Sequence, residues 1–141
     1  MKKRCVVLLL MVLCLVSAVG VQGYAIQPRA SEQIRNYHAT LSRSESGRLN
    51  IGFMIQCTAK MDVLGTTSIV VQRFNGTNWV SEYTFNIKEY PGMQTQHQDH
   101  YSGIVAYSPR YSGAKYRAMV FFYARNSAGT DTAVKTTHTV G

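Results

Sequence analysis

The amino-acid sequence predicts an all-β protein, a sandwich of about seven antiparallel strands. Two observations carry this reading. Apolar and polar residues alternate with a period of two over several stretches, and Asn-Gly, Pro-Gly and Ser-Gly pairs interrupt those stretches at short intervals. Helical spacing fits them poorly, and short strands between regular turns are the pattern of two packed sheets.

A first strand is expected near Tyr37 to Leu41. From Leu49 to Thr58 the alternation is strict: Leu49, Ile51, Phe53, Ile55 and Cys57 share one face and Asn50, Gly52, Met54, Gln56 and Thr58 the other. A turn region follows around Asp62 and Gly65. There the Asp62 carboxylate is expected to bond backbone N–H groups, with Gly65 taking a positive φ. Calcium is the sharper reading of Asp62, but calcium wants six or more oxygens and one carboxylate stands nearby.

Thr67 to Phe74 is β-branched and apolar, Asn75-Gly76-Thr77-Asn78 breaks it, and alternation resumes through Trp79, Ser81, Tyr83 and Phe85. Two such runs across an Asn-Gly loop predict a hairpin. Asn75-Gly76-Thr77 also matches a glycosylation acceptor, although turn geometry alone explains it. Pro91-Gly92 marks a turn before a strand from His100 to Tyr107, and Tyr111-Ser112-Gly113 marks another. Tyr116 to Ala124 is apolar on both faces, which predicts a central strand. Asn126 to Gly129 turns the chain into a Thr-rich edge strand over Thr130 to Val140.

The chain opens with Lys2, Lys3 and Arg4, then an apolar run from Cys5 through Val16, then Ser17, Ala18 and Gly20. This is the order of a secretory signal peptide, expected to span residues 1–25. Cleavage after Gly20, Gly23 or Ala25 fits; Ala25 is favoured because Gly23 and Ala25 supply small side chains. An uncleaved anchor helix is the alternative, for which the run is short. Leu13 is too bulky for a lipid-attachment site at Cys14. A polar, loosely held arm is expected over residues 26–36 and the sandwich over 37–141.

Losing the leader would remove Cys5 and Cys14, leaving Cys57 as a small buried hydrophobe without a disulfide partner. That economy points to a bacterial rather than an animal source. Fifteen Lys and Arg against seven Asp and Glu, less the three basic residues of the leader, leave a charge of +5. The basic residues are scattered. The balance suits anionic envelope polymers or lipid headgroups, and equally ordinary solubility.

Candidate chemistry is sparse. His97, Asp99 and His100 are the densest metal-capable group, but an extended strand sends His100 to the side opposite His97 and Asp99. Zinc wants three or four converging ligands, so no metal or cofactor is expected. Ser102 lies near His100 without a nucleophile elbow or oxyanion-hole pattern. The carboxylates, Glu82 among them, are scattered at predicted turns and outward positions, where solvation is the usual fate. Nine tyrosines and one tryptophan are many for this length. Trp79, Tyr83, Tyr101, Tyr107 and Tyr111 are therefore the candidate ligand-binding residues, able to stack on sugar rings or anchor a protein. Structural roles are expected for Asp62, Gly65, Tyr116, Asn126 and Gly129.

Two resemblances follow. Tyr116 to Gly129 resembles the last hairpin of a fibronectin type III or immunoglobulin-like domain. Tyr116 in Gly113-Ala114-Lys115-Tyr116 fits the tyrosine corner of such domains, bonding back to the loop before it. Over more of the chain, Pro28-Arg-Ala-Ser31, Met61-Asp-Val-Leu-Gly65, Trp79, Met93, His100-Tyr-Ser-Gly103, Gly113 to Ala118 and Phe122-Tyr-Ala124 occur in an order that resembles a family of small secreted proteins. That family belongs to Gram-positive, largely clostridial bacteria and is a domain of unknown function. The resemblance implies a signal peptide, one β-rich domain and an extracellular location, and no activity.

The sequence thus leads to a secreted, non-enzymatic module that binds a cell-wall polymer, a glycan or a protein at the envelope or beyond it. The alternatives are a diffusible bacteriocin- or toxin-like effector and a hydrolase using His100. An exported bacterial protein seldom meets nucleic acid, so no nucleic-acid partner is expected, nor a stable membrane span after cleavage.

Overall fold

The alternating stretches form strands that pair into two antiparallel sheets. The structure, a computed structural model, describes residues 33–141. The expected leader and residues 26–32 of the expected arm lie outside the described residues. Strands β1 (Ile34–Arg43), β2 (Leu49–Met61) and β6 (Gln98–Tyr107) form a three-stranded sheet in the order β1-β2-β6. Strands β3 (Val63–Phe74), β4 (Trp79–Asn86), β7 (Tyr116–Asn126) and β8 (Gly129–Thr136) form the other in the order β4-β3-β7-β8. A two-residue strand, β5 (Gln94–Thr95), adds to β3 and makes that sheet five-stranded. Three strands facing four, with β7 central and β8 at an edge, is the arrangement of an immunoglobulin- or fibronectin-like sandwich.

Burial follows the alternation. On β2, Leu49, Ile51, Phe53, Ile55 and Cys57 are all buried. On β7, Tyr116, Ala118, Val120, Phe122 and Ala124 are buried, while Met119, Phe121 and Tyr123 between them are half-buried on the outer face. Each fully buried Ile, Leu or Phe contributes about 1.5–3 kcal/mol. The two sheets meet directly where the Tyr37 and Phe122 rings lie 5.3 Å apart.

The structure redraws several boundaries. Strand β1 begins at Ile34, which is buried, so residues 34–36 belong to the sheet and not to a loose arm. The Asp131 carboxylate holds this start by accepting the N–H groups of Gln33 and Ile34 at 3.0 and 3.2 Å. The last strand stops at Thr136, and Val140 returns only as a bridge to Tyr116.

The expected turn around Asp62 and Gly65 is instead a one-residue bend. Strand β2 ends at Met61 and β3 starts at Val63, so Asp62 alone carries the chain from one sheet into the other. Its N–H donates to the Arg125 carbonyl at 2.8 Å, and its exposed carboxylate caps no turn among the described residues. Gly65 does have a positive φ, +144°, but inside β3 and for another reason. A Cβ there would lie 2.3 Å from the Met93 carbonyl oxygen, where the short 3-10 turn Pro91–Met93 and β5 press onto β3.

The second correction concerns β4. Val71 pairs with Tyr83 but Gln72 with Ser81, so Glu82 is the extra residue of a β-bulge. The four residues expected on one face are thereby split. Tyr83 and Phe85 join the interior, while Trp79 lies on the outer face beside Phe74 and Arg117, and Ser81 is exposed.

Candidate functional site

The bulge turns Glu82 inward, and its side chain is only 9% exposed. Arg73, the penultimate residue of β3, donates Nε–H to Oε2 at 2.9 Å. From the opposite sheet, the Tyr107 hydroxyl donates to Oε1 at 2.8 Å. The Arg110 N–H donates at 3.4 Å, and the Tyr116 hydroxyl reaches both oxygens at 3.3 and 3.4 Å. Burial alone would push the Glu82 carboxyl up. The hydrogen bonds from Tyr107, the Arg110 N–H, Arg73 and Tyr116 outweigh it and hold the group below its ordinary value of 4.5. Burial, ahead of the neighbouring Glu82 charge, pushes the Tyr107 and Tyr116 hydroxyls up.

Three of the candidate tyrosines join this cluster. The Tyr83 ring stacks on Tyr107, centroids 5.4 Å apart at 22°, and its hydroxyl bonds that of Tyr90 at 2.9 Å. That bond, followed by burial, pushes the Tyr83 hydroxyl up. Tyr111 lies over the Arg73 guanidinium at 4.1 Å and stays 52% exposed. The Tyr116 hydroxyl also donates to the Tyr111 carbonyl at 3.4 Å, which makes the backward bond of a tyrosine corner. An ionised carboxylate whose donors all come from its own fold is a tie between sheets. It has no proton to give near neutral pH.

Tyr101 lies apart from the cluster. Its ring packs on Phe53 at 5.9 Å and its hydroxyl donates to the Gly92 carbonyl at 2.6 Å. Asn126 Oδ1 accepts the Ala128 N–H at 2.9 Å and Gln33 Nε2–H at 3.1 Å, and Gly129 has φ +145°, together shaping the β7–β8 turn. Asp99 and His100 bond each other at 2.7 Å in the open, and the His100 bond holds the Asp99 carboxyl below its ordinary value. His97 sits in the left-handed region before β6. Among the described residues, no three His, Cys, Asp or Glu side chains gather as a metal site.

Trp79 belongs to a different surface, the outer face of the five-stranded sheet. Its ring lies 5.4 Å from Phe74, and the Arg117 guanidinium covers it at 4.3 Å. Arg117 is fixed in turn by Gln72, whose Oε1 accepts its Nε–H at 2.8 Å. From this stacked group Met119, Phe121 and Tyr123 continue along β7, and Val134, 48% exposed, pairs beside Phe121 on β8. The face sets these aromatic and apolar side chains among polar ones, with Ser68 opposite Phe121, Thr136 opposite Met119 and Thr132 opposite Tyr123.

The three-stranded sheet's outer face is different. It carries a shallow groove of about 420 Å³ between His38, Thr40, Met54 and Ile104, with Gly52 as its floor and Ile104 73% exposed. No side chain of Lys, Arg, Asp or Glu lines it.

The sandwich class is therefore defined by topology and by the tyrosine corner. Comparison with protein-family models, curated proteins and solved structures finds no significant match to this chain.

Proposed function

We propose that this is a secreted, non-enzymatic binding module that engages the glycan of a bacterial cell wall through the outer face of its five-stranded sheet. The observation that carries the reading is the Trp79 platform. The outward side of a half-solvated sheet ordinarily alternates to polar residues. Here that side also presents Phe74, Trp79, Met119, Phe121 and Tyr123 beside polar Ser68, Gln72, Thr132 and Thr136. Flat aromatic area at low entropic cost suits stacking on sugar rings, and Arg117 and Gln72 supply polar contacts at its border.

The charged, apolar and small-residue opening of the chain supports export, as does the resemblance to the secreted clostridial family. The charge of +8, or +5 once the expected leader is removed, supports attraction to an anionic envelope. Co-sedimentation with Gram-positive walls, with and without teichoic acid and at low and high salt, tests the reading. Pelleting that survives high salt and teichoic-acid removal, and is lost in Trp79→Ala, is the expected result. Absence of pelleting would overturn it and favour the diffusible effector.

A further inference from the structure

Two loops meet at one end of the sandwich, residues 44–48 between β1 and β2 and residues 108–115 between β6 and β7. Between them lies a pocket of about 210 Å³, lined by Arg43, Ser46, Gly47, Arg48, Ser108 and Ser112 with Pro109. Both ionised side chains on its wall are guanidinium groups, and the remaining polar side chains are hydroxyls. Glu45, beside Ser46, is exposed and outside the lining, as are Arg110 and Lys115 of the other loop, and the Glu82 carboxylate is taken up by Arg73, Tyr107 and the Arg110 N–H.

The pocket is held in shape before any ligand arrives. Arg43 donates from Nη1 to the Gly47 carbonyl at 3.4 Å and from Nη2 to the Ala114 carbonyl at 3.2 Å, so one side chain ties both loops. Its guanidinium lies 5.7 Å from the Tyr116 ring centre. The β1–β2 loop is closed by Ser44 and Arg48, which exchange a backbone bond at 2.8 Å and a bond from the Arg48 N–H to Ser44 Oγ at 3.1 Å. Gly47 takes φ +80° within that loop, a conformation that suits glycine. Arg43 uses two of its five N–H groups on carbonyls, and its buried Nε makes no hydrogen bond.

We propose that this pocket binds a phosphate group. Guanidinium forks match tetrahedral oxyanions bidentately, and serine hydroxyls complete such a shell. The volume falls below the roughly 300–1,000 Å³ of whole small-molecule sites, which suits a single charged group with the rest of its molecule outside. Free phosphate and the phosphodiester of an anionic polymer share this chemistry. The site lies apart from the Trp79 platform and stands independently of it.

The test is an amide NMR titration of the protein at constant ionic strength, with inorganic phosphate, a glycerol phosphodiester and chloride as separate arms. Saturable shifts at Ser46, Gly47, Ser108 and Ser112 are expected for phosphate or the diester and not for chloride. The tighter of the two names the source. Arg48→Ala should weaken binding about tenfold with an unchanged fold, since it removes one charge-assisted contact. Trp79→Ala should leave this titration unchanged, which separates it from the wall-glycan reading. Shifts that fail to saturate, that chloride reproduces, or that saturate at the same concentration in Arg48→Ala as in the wild type would overturn the proposal.

Discussion

The Tyr107 hydroxyl donates to the Glu82 carboxylate at 2.8 Å, and this bond joins the edge strand of one sheet to the edge strand of the other. Around it, Arg73, Tyr116 and the Arg110 N–H converge on the same two oxygens. One side chain thus ties β4 to β6, β7 and the loop between them.

Replacing Glu82 with alanine should therefore cost about 2–4 kcal/mol, since Arg73 and the Tyr107 hydroxyl lose their acceptor while Tyr116 keeps the Tyr111 carbonyl. Denaturant unfolding of the variant measures this. A cost within a few tenths of a kcal/mol would show that the cluster does not hold the sheets together.

The same carboxyl gives a pH signature. Its folded value lies below the ordinary 4.5, so the folded state binds fewer protons than the unfolded one. The resulting stability is present above 4.5 and is lost as pH falls through the lower folded value. Unfolding midpoints taken at neutral pH and on descending through this range should fall more steeply for the wild type than for Glu82→Gln. Parallel curves would contradict the assignment.

Gly65→Ala should destabilise by about 3 kcal/mol or more, because φ +144° disfavours a side chain and a Cβ would meet the Met93 carbonyl at 2.3 Å. Gly47→Ala has open space around its Cβ and bears only the φ penalty of about 1–2 kcal/mol. Thermal melts of the two variants should separate clearly. Equal shifts would mean that the approach of Met93 to β3 does not constrain Gly65.

Cys57 should be inert. Burial first, then the charges of Asp131 and Asp99, push its thiol up to about 11, so little thiolate exists near neutral pH. Mass-spectrometric labelling with a thiol reagent should modify Cys57 only when denaturant is present. Rapid labelling of the native protein would contradict its place in the core.

Much of the fold is legible in the sequence because period-two burial is local. Leu49 to Cys57 and Tyr116 to Ala124 show their buried faces directly, and the Asn75-Gly76 hairpin shows its turn, where Asn75 Oδ1 accepts two backbone N–H groups. The Glu82 cluster is not legible. A bulge reverses the faces of a strand, and no residue type near Ser81 marks it. Strict alternation therefore sends Glu82 outward and groups Trp79 with Tyr83. Gly65 misleads for a related reason. Its sequence neighbours suggest a turn, while the constraint comes from Met93, distant in the chain. The loop pocket escapes in the same way, since Arg43 and Ser112 meet only once both sheets are in place.

Trp79 is the chain's one tryptophan and stands on the proposed glycan platform, so its emission reports that surface alone. The most direct measurement is the fluorescence of Trp79 during titration with solubilised wall glycan, in the wild type and in Phe121→Ala. A saturable change at the concentrations that block pelleting on intact walls, weakened in Phe121→Ala, is the result expected. Binding to walls with the Trp79 signal unmoved would place recognition elsewhere and contradict the account.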